Sequence, residues 1–268
     1  MEIDHLREWI GRRTERRDRV SERLVAEFRA TLAPHIAETG DAAPPGLFWC
    51  LAPETVAAQD LGSDGHARLG LTLPPVPFGR RMWAGGEVHF HGGLAPGDEI
   101  EKVSTIEDIA LKTGSTGRLC FVHVRHRYSV DTRLVIDERQ DIVYRENAAA
   151  AKPPPAPQPP PSGWTVTPAP VMLFRYSALI FNGHRIHYDH PYATGTEGYD
   201  GLVVHGPLQA TLMLNLVTAT LGRLPQRFSY RGLAPLTGAA PFTVTAEEGG
   251  LTARVVSAAG VVTMTAET

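Results

Sequence analysis

Apolar positions at the start of the chain recur at helical spacing. Ile3, Leu6, Trp9 and Ile10 share one face, and Val20, Leu24, Val25, Phe28, Leu32 and Ile36 share another, with charges between them. The pattern predicts two amphipathic helices, with Ser21 or Thr14 as caps and an end near Pro34, before Asp41-Ala-Ala-Pro-Pro-Gly46 turns the chain. Trp49 then sits in a short apolar run, and Glu54 to Pro77 reads as loop apart from a weak helical patch at Val56 to Leu61.

Beyond Pro77 the period changes to two. Trp83, Val88 and Phe90 lead into Gly92-Gly93, and Ile100 to Ile109, Leu119 to Tyr128 and Arg133 to Tyr144 read as long strands, most simply antiparallel. Between Lys152 and Gly163 seven of twelve residues are proline, a composition that neither pairs in a sheet nor continues a helix. It divides the chain into a first domain over 1–147, a linker over 148–163 and a second domain over 164–268.

In the second domain Trp164-Thr-Val-Thr reads as extended and Val171 to Ile180 as helical. Pro207 to Leu221 is a helix apolar nearly all round, which implies burial on most sides. Strands return at Arg227–Leu233, Pro241–Thr245, Leu251–Val256 and Val261–Thr265. A sheet wrapped around one buried helix is the simplest packing of these pieces, giving an α+β fold. The first half has a comparable strand set without an equally clear buried helix.

The 268 residues are 43% hydrophobic and 21% charged, enough to bury a substantial core as a soluble globular protein. A formal net charge of -3 with no sustained basic run argues against a nucleic-acid partner. The Arg-rich stretch from Arg7 to Arg23 alternates with Glu and Asp, so it reads as a solvated helix face. No window has the apolar length of a membrane span, and the first residues lack the apolar core of a signal peptide, so a cytoplasmic protein is expected. Cys50 and Cys120 lie in apolar settings and read as buried thiols.

The chemistry concentrates between Phe174 and Gly206, where His184, His187, His190 and His205 accompany Asn182 and Asp189. A polar loop held between two helices is where catalytic groups are usually placed. Asp189, shortly before Pro191, reads as a cap or turn former. Arg175 and Arg185 are candidates for binding a substrate carboxylate, because a guanidinium matches a carboxylate in a fork. The triplet His184, His187, His190 and the pair His89 and His91 lack a well-placed Cys or carboxylate, so no metal is expected. No phosphate loop, nucleophile elbow or dinucleotide fingerprint precedes a helix, so no nucleotide cofactor is expected either.

The strings Phe174-Arg-Tyr-Ser-Ala-Leu179, Phe181-Asn-Gly-His-Arg-Ile-His-Tyr-Asp189 and Gly201-Leu-Val-Val-His-Gly-Pro207 resemble the MaoC-like (R)-specific enoyl-CoA hydratases. More narrowly, they resemble the mesaconyl-C4-CoA (3-methylfumaryl-CoA) hydratases and the type 2 hydroxyacyl-thioester dehydratases. The first half is similar to their N-terminal domain in Arg81-Met-Trp-Ala-Gly-Gly86, Thr105-Ile, Lys112-Thr-Gly114 and Gln140-Asp-Ile-Val-Tyr144, so the likeness covers most of the chain.

The resemblance implies a double hot-dog fold, two antiparallel sheets each wrapped on a helix, and an acyl-CoA substrate handled without a cofactor. It allows a homodimer. In that family an Asp and a His five residues later hold and activate the water that adds across an enoyl thioester, which places Asn182 at the Asp position and His187 at the His position. An amide does not titrate, so Asn182 can orient water while His187 becomes the acid/base candidate. The family holds the thioester carbonyl at the start of a buried helix, which puts the oxyanion donor near His205 and Gly206.

The implied reaction is reversible hydration of a 2-enoyl-CoA, with mesaconyl-C4-CoA giving citramalyl-CoA as the leading expectation. Dehydration of 3-hydroxyacyl thioesters, itaconyl-CoA hydration, a hot-dog thioesterase and an acyl-CoA-binding module are the alternatives. The first half, with no histidine loop of its own, is expected to be a non-catalytic partner that completes the pocket.

Overall fold

A computed structural model describes residues 4–114, 117–145, 162–247 and 249–268. Of the two opening helices that the periodicity predicts, the first is reduced to α1 (Asp4–Arg7) and the second is α2 (Glu22–Leu32). Ser21 caps α2, its hydroxyl accepting from the Leu24 N–H at 3.1 Å, and Phe28 and Leu32 are buried.

The Arg-rich stretch between them is not a helix face. Arg13–Arg19, with Thr14 inside it, forms strand β1 at one end of a sheet. Its guanidinium groups meet acids across the ladder, Arg17 reaching Glu101 at 3.1 Å and Arg19 reaching Glu99 at 3.5 Å. An edge strand with both faces wet carries no apolar stripe to declare its period, and alternating charge suits cross-strand pairs as well as helical ones.

The alternating segments become β2 (Arg80–Phe90), β3 (Glu99–Gly114), β4 (Gly117–Val130) and β5 (Arg133–Arg145). On β4 the buried positions Cys120, Val122 and Val124 recur every second residue, as a sheet with one covered face requires. The proline-rich linker, Ser162 and Gly163 apart, lies outside the described residues. The second half supplies β6 (Trp164–Val166), α3 (Pro170–Leu179), α4 (His190–Gly195), α5 (Gly206–Leu221), β7 (Arg227–Gly232), β8 (Phe242–Ala246), β9 (Thr252–Val256) and β10 (Val262–Glu267).

All these strands pair antiparallel in one ten-stranded sheet, in the order β1-β3-β4-β5-β2-β7-β10-β9-β8-β6. The two strand sets are therefore fused edge to edge. The seam is β2 against β7, in register from Gly85 opposite Arg231 to His89 opposite Arg227.

Helix α5 is the core of the second half. Leu208, Leu212, Met213, Leu214 and Val217 are fully buried against β8, β9 and β10, each contributing roughly 1.5–3 kcal/mol of apolar burial. Pro207 opens the helix and Gly222, at φ 65°, closes it in the left-handed region. Buried Asn215 ties α5 to the first half, accepting from Ala37 N–H at 3.0 Å and donating to Pro45 O at 2.9 Å. Among the described residues no helix of the first half packs on its strands as α5 does on β8, β9 and β10, and Lys102, Ser104 and His126 of β3 and β4 line a cavity. Among the described residues no helix is long and apolar enough to cross a membrane.

Candidate active site

The site begins where α3 ends. Phe181 adopts φ 51°, and Asn182 N–H bonds back to Ser177 O at 2.8 Å. The Asn182 side-chain oxygen then accepts from the His184 backbone N–H at 3.0 Å, closing a local turn that leaves its NH2 group for other partners. A single 3-10 turn over Arg185–His187 carries His187 inward, to 6% exposure. Asp189 caps α4, accepting from Tyr192 N–H at 3.1 Å, and pairs with Arg185 at 2.7 Å, as its place before Pro191 suggests.

His187 Nδ1 lies 2.7 Å from the Val203 carbonyl, which can only accept, so Nδ1 carries the proton and Nε2 holds the lone pair. The ring stacks on His205 with centroids 3.6 Å apart. Burial pushes the His187 imidazole down to about 4, with the Val203 hydrogen bond opposing. His205 is fully buried behind it, its Nε2 2.8 Å from Ser177 Oγ, and burial also holds this ring well below its usual range. The His205 side chain supports His187 and does not line the cavity, whereas Gly206 at the start of α5 does. Of the two residues expected near a bound carbonyl, Gly206 alone lines the cavity, at the positive end of α5.

A second histidine loop comes from the first half, where sequence analysis expected none. Its residues 62–66 are docked on the His184 loop: Arg185 N–H donates to Asp64 O at 2.9 Å and Arg185 Nη1 to Ser63 O at 3.0 Å. Gly65, at φ 89°, lies so close that a Cβ there would overlap the Gly183 carbonyl. This clamp brings His66 to 4.0 Å from His184 between ring centroids, and His184 to 5.4 Å from His187. His66 Nδ1 is 2.9 Å from Asp64 Oδ2, and its backbone N–H donates to Asp64 Oδ1 at 3.0 Å.

Burial lowers the His66 pKa, the Arg81 charge adds to that, and Asp64 opposes both. At Asp64 burial works upward, but the bond to His66 wins and leaves the carboxyl below its ordinary range. Burial and the neighbouring His66 and His187 charges drive His184 down as well. Neutral imidazoles at pH 7 follow for all three rings. Asp64, His66 and His184 bring one ligand-type atom each within 4.8 Å of one another, a set that could hold a metal, although the Asp64 carboxylate is engaged with His66 as a hydrogen-bond acceptor.

His66, Asn182, His184, His187 and Gly206 all line one cavity of about 2090 Å³, which continues to Lys102, Ser104 and His126 in the first half. The two arginines expected to meet a substrate carboxylate do not line this cavity. Arg185 is occupied by Asp189 and lies 4.1 Å over the Tyr192 ring, and Arg175 sits on the exposed face of α3. His190 is exposed at the start of α4, and His89 pairs with Glu87 at 2.8 Å, so neither joins the cluster. Cys50 and Cys120 are buried free thiols, and burial pushes Cys120 up to about 11.

This chain is 41% identical over 248 residues to the mesaconyl-C(4)-CoA hydratase of Chloroflexus aurantiacus, covering 90% of this chain and 89% of that protein. It is 32% identical to the mitochondrial hydroxyacyl-thioester dehydratase type 2 of Schizosaccharomyces pombe, covering 87% and 90% of the two chains. Among solved structures it is similar to HtdX of Mycobacterium tuberculosis, with a TM-score of 0.69 at 19% identity over 96% of this chain and 98% of that one. A MaoC-like dehydratase from Phytophthora capsici gives a TM-score of 0.70 at 13% identity over 100% and 97%. A further M. tuberculosis protein described as having a double hotdog fold gives 0.56 at 14% identity over 96% and 94%, in keeping with the fused strand sets and α5 described above. Residues 46–238 match the hydroxyacyl-thioester dehydratase type 2 family, a span that holds both histidine loops and α5, and the chain belongs to that family.

Proposed function

We propose that this protein is a hydro-lyase that reversibly hydrates a 2-enoyl-CoA thioester, with mesaconyl-C4-CoA giving citramalyl-CoA as its reaction. The observation that carries the reading is His187, its Nδ1 committed to Val203 and the residue itself lining a cavity that also receives the start of α5 at Gly206. With the thioester carbonyl at Gly206, the helix terminus favours the negative charge that grows on that oxygen as water adds to C3. His187 Nε2 accepts a hydrogen bond from that water, and the Asn182 amide orients it. The oxygen bonds to C3, the C=C electrons move to C2 and the carbonyl, and a proton returned to C2 completes the addition.

For the free carboxylate of a dicarboxylic acyl group we assign Arg81, which lines the cavity and whose charge acts on both His66 and His184. A second reading is dehydration of longer 3-hydroxyacyl thioesters. It is favoured by the match of residues 46–238 to the hydroxyacyl-thioester dehydratase type 2 family.

The test follows enoyl-thioester absorbance with mesaconyl-C4-CoA, crotonyl-CoA and a medium-chain 2-enoyl-CoA, with a free-thiol assay in parallel. Faster loss on the dicarboxylic substrate without thiol release is the expected result. Preference for the medium chain would support the second reading, and thiol release would indicate a thioesterase.

A further inference from the structure

The Asn182 amide lines the cavity but cannot take a proton, so a titratable partner for the water has to be sought elsewhere in the cavity wall. Asp64 is the acid that the fold delivers to the histidine cluster. It comes from the other half of the molecule, 118 residues before Asn182 in sequence, and it faces the site through His66 rather than directly. Two Asp64–His66 contacts, at 2.9 and 3.0 Å, fix the ring, and the backbone bond from Arg185 to Asp64 O fixes the loop against the catalytic turn.

We propose that Asp64 and His66 form a second acid/base pair for the hydration reaction, supplying the titratable group that the Asn182 amide is not. This rests on the hydratase reading above. Asp64 accepts from His66 Nδ1–H and so leaves the Nε2 lone pair for the cavity, which His66 lines together with His184 and His187. The cavity is thus lined by two imidazoles, His66 and His187, each with its Nδ1 committed to a partner behind it.

The two acceptors differ in what stands behind them. Behind His187 Nδ1 is a neutral carbonyl, and behind His66 Nδ1 is a carboxylate. An imidazolium is better stabilised by the carboxylate, so the proton transfers to His66 while His187 aligns the water. As the water oxygen bonds to C3, its proton moves to His66 Nε2 and the C=C pair moves to C2 and the thioester carbonyl. The His66 imidazolium then returns that proton to C2. One water is added, no electron is gained or lost, and both rings end neutral.

The first half of the molecule therefore supplies a catalytic group, not only a wall. The test uses the full chain with His66→Gln, Asp64→Asn and His187→Ala, assayed on mesaconyl-C4-CoA and crotonyl-CoA, with metal content measured on each purified protein. We expect kcat to fall about 10²–10⁴-fold in His66→Gln with KM within about threefold, and partial rescue of His66→Ala by added imidazole. Asp64→Asn keeps the backbone clamp and so remains informative if a His66 variant misfolds. It should lower kcat at least about tenfold with KM within about threefold.

If His66→Gln and Asp64→Asn both keep wild-type kcat while His187→Ala is inactive, the pair is structural and the hydratase reading stands. A wild-type protein that hydrates neither substrate overturns both. A stoichiometric metal lost in His66→Gln and His184→Gln, with chelator-sensitive activity restored by that metal, would replace the acid/base pair with a metal centre.

Discussion

His187 Nδ1 and the Val203 carbonyl oxygen lie 2.7 Å apart, and this contact decides which nitrogen of the ring is offered to the cavity. Val203 precedes α5 by three residues, so the segment that leads into the helix also sets the tautomer of the histidine beside it.

His187→Gln keeps a side-chain donor for Val203 but removes the ring lone pair. It should lower kcat by about 10²–10⁴-fold with little loss of stability at pH 7, measured by enoyl-CoA absorbance and urea unfolding.

The same ring makes stability depend on pH. Its folded pKa of about 4 lies below the unfolded value of about 6.5, so folding favours the neutral form. That contribution is whole above about pH 6.5 and is lost as pH falls toward about 4, amounting to about 3 kcal/mol. Urea unfolding at pH 7 and pH 4.5 should show a smaller pH difference in His187→Gln than in the wild type.

Asn182→Asp places a carboxylate where the backbone N–H of His184 now meets an amide oxygen. A negative charge there favours imidazolium, so the His184 pKa should rise, read by NMR titration of the ring. An unchanged His184 titration would mean that the new carboxylate turns to solvent.

Gly65→Ala should undock the first-half loop, because the new Cβ would meet the Gly183 carbonyl at a backbone angle of φ 89°. We expect activity to fall by at least about tenfold. Gly93→Ala, with open space around its Cβ, serves as the control and should leave activity unchanged.

Asn215→Ala strips partners from the Ala37 N–H and the Pro45 carbonyl in a buried setting. The expected loss is about 2–4 kcal/mol, measured by urea unfolding with an unchanged m-value.

The second half could be read closely because each of its signals is local. Pro207 to Leu221 announces a buried helix by being apolar on every face, and Asn182 and His187 sit in one continuous loop. His66 could not be read in that way. It lies in a stretch whose Gly and Pro content reads as plain loop, and its meaning comes from contacts with Gly183 and Arg185 far along the chain. The combination of Asp64 and His66 two residues apart, beside glycines that permit a tight turn, was the one local hint. β1 escapes the sequence pattern for a different reason: this charged edge strand has no buried position, and without one the period of two leaves no apolar trace.

The β2–β7 seam makes the halves one unit of unfolding. The ladder from Gly85 to His89 runs through the middle of the sheet, so its amides open only when both strand sets separate. Detachment of either half would leave the other with a raw central edge and a divided set of histidines. A lesion in one half is therefore felt as a loss of the whole molecule, and the proline-rich segment marks a boundary in the sequence that the backbone hydrogen bonds do not respect.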